Sequence, residues 1–103
     1  MTKAVYEPDD FHLRIEGHAE AAKPIDPICA GISALAWALV EASTDRACYR
    51  AALFLDDRKG IIDVRCDPEN GARKDCRYMF EIIVGGLQLI AQRYPDNLQI
   101  IGG

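Results

Sequence analysis

The chain lacks any concentration of positive charge: its twelve lysines and arginines stand singly or in pairs (Arg58-Lys59, Arg73-Lys74) against sixteen acidic residues, for a formal net charge of -4. Neutralising a phosphate backbone takes a basic patch, so a nucleic-acid partner is disfavoured. Long apolar runs are also missing. The longest, Ile28 to Ala42, is shorter than a bilayer span and contains Ser33 and Glu41, which argues against a membrane partner. Met1-Thr2-Lys3 passes without an apolar leader into the acidic Glu7-Pro8-Asp9-Asp10, so the expected location is cytoplasmic. Cys29, Cys48, Cys66 and Cys76 contain no C-x-x-C pair, which excludes the usual zinc spacings, and in that compartment they are expected as thiols. No Walker loop, dinucleotide glycine motif or calcium loop is present. No metal or cofactor is expected.

What remains is a soluble-domain composition, 50% hydrophobic and 27% charged over 103 residues, enough for a single domain, 1–103. Ala4-Val5-Tyr6 reads as a short strand closed by Pro8. Phe11 to Glu16 alternates, with Phe11, Leu13 and Ile15 on an apolar face and His12, Arg14 and Glu16 on a polar one, where His12 is expected to be solvated. Asp26-Pro27 is a helix start: aspartate is a preferred N-cap, and proline's missing N–H is no loss at the first helical position. The helix should run to about Ser43. It carries Ile28, Ile32, Leu35 and Leu39 on one side and Ala30, Ala34, Trp37, Ala38 and Val40 elsewhere, so it should be sandwiched between a sheet and another element or subunit.

Two strands follow, about Ala47 to Leu55 and Ile61 to Cys66, joined by the polar connection Asp56-Asp57-Arg58-Lys59-Gly60. After the Asn70-Gly71 turn, a second helix is expected from about Arg73 to Arg93, with Cys76, Phe80, Ile83, Leu87 and Ile90 in its stripe. Gly85-Gly86 inside it costs about 1 kcal/mol per residue in propensity and so implies a close backbone approach or a bend. Leu98 to Ile101 is a last strand. The fold class is therefore α+β: a mostly antiparallel sheet of about five strands with two helices packed on it, in the order β-β-α-β-β-α-β.

The chemistry concentrates in one histidine and one cysteine, eleven residues apart. His18 follows a strand end at Gly17, and Cys29 falls in the first turn of the helix capped by Asp26. A free thiol near pKa 8.5 must gain about 2 kcal/mol to ionise near pH 7. A helix N-terminus supplies roughly 0.3–1 kcal/mol, rising to about 2 in a partly buried site. A nearby imidazolium supplies the rest. Each residue also has a plainer reading. Cys29 can be a small buried hydrophobe, His18 a surface loop residue, Asp26 a cap alone, and Ser33 a small polar residue bonded to the preceding turn.

Gly17-His18-Ala19, a short loop, then Asp26-x-Ile28-Cys29-Ala30-Gly31-x-Ser33-Ala34-Leu35 resembles the signature of the ribosomal-processing cysteine protease Prp family. The resemblance implies a small cytoplasmic homodimer that removes an N-terminal extension from a large-subunit ribosomal protein or a related phage or host protein. It implies His18 and Cys29 as the catalytic dyad, Asp26 as the accompanying aspartate and Ser33 as a motif serine. The loop 19–27, with Ala19, Lys23 and Ile25, would line the substrate cleft together with Ser33. The rival readings are a non-catalytic homodimeric interaction module with an inert buried thiol and a redox sensor, for which no resolving cysteine lies nearby in sequence.

Overall fold

The alternation around Leu13 and Ile15 builds the centre of the molecule: both are buried in β2 (His12–Glu16), the middle strand of a five-stranded sheet. The computed structural model describes residues 1–17 and 27–103. β1 (Thr2–Glu7) and β4 (Ile61–Arg65) flank β2, while β3 (Ala52–Asp56) and β5 (Leu98–Gly102) form the edges, in the order β3-β4-β2-β1-β5. Every pairing is antiparallel except β1 with β5, which is parallel. The helices α1 (Pro27–Asp45) and α2 (Arg73–Arg93) complete the expected order.

Side chains alternate across a pleated sheet, and one face, with Ala4, Tyr6, Leu13, Ile15 and Val64, forms a single core with Ile32 and Leu39 of α1 and Phe80 and Leu87 of α2. Burying one such leucine or phenylalanine stabilises the fold by about 1.5–3 kcal/mol. The glycine pair in α2 resolves into two different cases. A Cβ on Gly86 would meet Leu35 at 3.0 Å, so the helices cross closely there, whereas Gly85 has nothing within 4 Å.

Three expectations change. The segment from Ala47 is no strand at first. Ala47–Tyr49 forms a 3-10 turn, Arg50 adopts a left-handed φ of 45°, and β3 begins only at Ala52. The turn buries Tyr49, and the carbonyls of Tyr49 and Cys48 accept the amides of Asp67 and Glu69. Phe11 likewise lies outside the strand, at φ 49° after the Pro8–Asp10 turn, with the guanidinium groups of Arg73 and Arg77 4.9 and 5.5 Å from its ring centre. The expectation for α1 is not among them: one side packs in the core, and in the single chain the other is open to another element or subunit. Ile32, Ala36, Leu39 and Ser43 are buried, while Ala30, Ala34, Trp37 and Ala38 are exposed in the single chain. By length and composition this helix is apolar enough to cross a bilayer; its buried face instead belongs to the core shared with the sheet and α2.

His12 is the largest departure. It is 7% exposed on the sheet face away from the helices, with Nδ1 2.5 Å from Glu7 Oε1 and Nε2 2.7 Å from Asp63 Oδ1. Asp63 also accepts from Arg14 at 3.1 Å. The sequence pattern gave the right face for His12, but the register puts Glu7 and Arg65 directly opposite it and Asp63 opposite Arg14. Its neighbours therefore close over it.

An alanine at His12 leaves these carboxylates without their ring partner, at a cost of about 2–3 kcal/mol. The expected outcome is a lower urea midpoint for His12→Ala, read by circular dichroism, with the denaturant slope unchanged.

Candidate active site

Three chain segments converge at one end of the sheet. β2 ends at Gly17, whose amide donates to the Gly60 carbonyl at 3.1 Å, and this ties it to the turn between β3 and β4. A Cβ on Gly17 would lie 2.4 Å from Thr2 Oγ1, so a larger residue there would have to move the Thr2 side chain. The first turn of α1 comes to the same end. Between them lies a cleft of about 200 Å³, lined by Gly17, Thr2, Cys29 and Ser33 together with apolar residues of β2, β4 and α1 and the turn residues Asp56, Asp57 and Gly60.

Cys29 is exposed and is the third residue of α1, where the positive end of the helix dipole favours negative charge. Ser33, one turn further on, is exposed along the same cleft. The expectation of a thiol in a helix's first turn holds, and the buried-hydrophobe reading of Cys29 does not. His18, Ala19, Lys23, Ile25 and Asp26 lie outside the described residues. Trp37, Asp56 and Asp57 join the lining without having been singled out as site residues from the sequence. The polar hairpin connection was legible, but not its docking beside Cys29, which depends on the pairing of β2 with β4.

The other thiols differ in kind. Cys66 and Cys76 are buried and neighbour each other. Burial, foremost, and the neighbouring Cys76 push the Cys66 thiol up to about 12 from an ordinary 9.0. Burial also raises Cys76. Cys48 is partly exposed. Among the described residues no group of three or more histidine, cysteine or acidic side chains is arranged to hold a metal ion.

A family model for the cysteine protease Prp matches residues 2–99. No curated protein matches the chain. Among solved structures, it is similar to the essential ribosomal processing protease Prp from S. aureus in complex with a covalently linked product peptide. The identity is 20%, coverage 97% of this chain and 95% of that one, and the TM-score 0.73. The same protease in complex with a substrate peptide gives 20% identity, coverage of 96% and 94%, and a TM-score of 0.74. SMU.848 from Streptococcus mutans gives 22% identity, 98% and 96% coverage, and a TM-score of 0.74. At these identities the structural likeness establishes the shared fold.

The thiol environments predict an order of modification. Iodoacetamide at neutral pH should alkylate Cys29 first and Cys48 more slowly, with Cys66 and Cys76 reacting only after denaturation, as read by peptide mass mapping.

Proposed function

Because the chain belongs to the cysteine protease Prp family, we propose that it is an endopeptidase in which Cys29 and His18 form the catalytic dyad. One observation carries the reading: Cys29 and Gly17 line the same cleft, and His18 is one peptide bond beyond Gly17. Consecutive Cα atoms across a trans peptide are about 3.8 Å apart, and this chain proximity supports pairing the two residues.

In the proposed reaction the Cys29 thiolate attacks the scissile carbonyl carbon. Amides of the first turn of α1 stabilise the oxyanion. His18 takes the thiol proton and returns it to the leaving amine. Water then hydrolyses the thioester, again with His18 as base. Asp26 acts either as a cap on α1 or as a positioning group for the imidazole. Ala19, Lys23 and Ile25 complete the cleft with Ser33. The substrate in this reading is a cytoplasmic large-subunit ribosomal protein carrying an N-terminal extension. That substrate draws support from the S. aureus protease, whose complexes contain a product peptide and a substrate peptide.

The same reading includes a homodimer, formed through the outer face of the helix layer. Tyr78, Ile82 and Leu89 recur on one side of α2 and are 59%, 69% and 68% exposed, and α1 adds Trp37 and a row of alanines. Contiguous exposed apolar surface of this kind marks an interface.

Cys29→Ala should abolish cleavage of a peptide spanning the extension junction, with the circular dichroism spectrum retained; undiminished cleavage would overturn the assignment of Cys29 as nucleophile. Ile82→Glu should shift the protein from dimer to monomer in sedimentation, and an unchanged mass would reject the helix-face interface.

A further inference from the structure

Strand register lays two apolar rows across the core face of the sheet, Leu13–Val64–Leu53 and Ile15–Ile62–Leu55. Both run off its edge uncovered. Leu13 and Val64 are 1% and 0% exposed, but Leu53 and Leu55, in the edge strand β3, are 38% and 42% exposed. Phe54, on the opposite face beside Asp63, is 54% exposed. No strand among the described residues pairs with the outer side of β3.

Edge strands are normally blunted by a lysine, a proline or a bulge, because their free N–H and C=O groups template further pairing. Ala52-Leu53-Phe54-Leu55 carries no charge and no proline, and its register against β4 is unbroken from Ala52 to Asp56. Charge stands only at the two ends. Arg50 precedes the strand, half exposed, with its guanidinium on the carbonyl and carboxylate of Asp67. Asp56 closes it, its Oδ1 accepting the amides of Arg58 and Lys59 in the turn beyond.

This strand is complementary to itself. A two-fold axis perpendicular to the sheet sets a second β3 antiparallel to the first and keeps the helices of both chains on one side. Centred on Phe54, that axis uses the whole strand. Phe54 meets its own equivalent, and Leu53 meets Leu55 of the second copy, so each apolar row continues across the seam. On the other face Ala52, whose neighbour in β4 is Arg65, meets Asp56 of the second copy. A small side chain thus separates a cation from the incoming carboxylate, and Arg50 lies diagonal to the same carboxylate, within reach of a long side chain. Arg58 and Lys59 fall outside the paired segment.

We infer that β3 is a self-association edge, pairing antiparallel with β3 of a second copy about Phe54 and joining two five-stranded sheets into one. The contact is separate from the helix-layer face and independent of the peptidase reading. Five paired residues make an interface smaller than a permanent one, so it forms as concentration rises. The helix-layer dimer then becomes a four-chain species, and Ile82→Glu passes from monomer to dimer.

Opposite Cα atoms in an antiparallel pair are about 4.5–5.5 Å apart, inside the roughly 4.4–6.8 Å that a disulfide spans. Phe54→Cys in the full chain, oxidised with copper phenanthroline, should therefore yield chains linked through position 54, identified by peptide mass mapping. The link should form roughly tenfold faster than with Gln99→Cys on the opposite edge strand β5. Phe54→Lys should remove the concentration-dependent rise in sedimenting mass while the circular dichroism spectrum is retained. Linkage no faster than with Gln99→Cys, or a mass profile unmoved by Phe54→Lys, overturns the inference. A thiol at position 54 that does not link but is shielded from maleimide by a substrate peptide assigns the edge to an added peptide strand, and overturns it as well. Cys29 takes no part in these readouts, so the self-association edge and the peptidase reading fail separately.

Discussion

Gly17 is where the architecture becomes a site. With its amide bonded to Gly60 and no room for a side chain against Thr2, it brings the end of β2, the turn between β3 and β4, and the start of β1 to one point. The first turn of α1 then has only that corner of the sheet to close against. The cleft, its apolar walls and its two carboxylates follow from this convergence. Any residue with a side chain there would have to displace the side chain of Thr2, which lines the same cleft.

The sheet divides the work of the molecule. Its helix-covered face holds the core, including the two thiols that burial renders inert. Its open face is held by charge: His12 between Glu7 and Asp63, with Arg14 on the same aspartate. A two-layer fold has no third layer to bury apolar groups on that side, so polar groups must satisfy one another there. The cleft beside Cys29 sits at the strand ends, where the backbone turns and side chains reach solvent.

Much of this could be read along the chain. The alternation at Leu13 and Ile15, the helix start at Pro27 and the Cys76-Phe80-Ile83-Leu87 stripe are local signals, and local signals survive into the fold. Cys29 was legible for the same reason: its position in a helix's first turn depends on four consecutive residues. His12 was misread because its burial depends on residues brought in from other strands. The strand starts at Ala47 and Phe11 were misread because a short turn precedes each strand and closes at a positive φ, at Arg50 and at Phe11, a conformation the hydrophobic pattern does not signal.

The sequence by itself determined the element order, the apolar faces and the presence of a thiol at a helix start, since these follow from neighbours within about one or two turns of chain. Only the tertiary structure decided which residues share the cleft with that thiol. Asp56, Asp57 and Trp37 reach it through strand register and the close fit at Gly17, and register is a relation between segments far apart in the chain, fixed by pairing rather than by any local pattern.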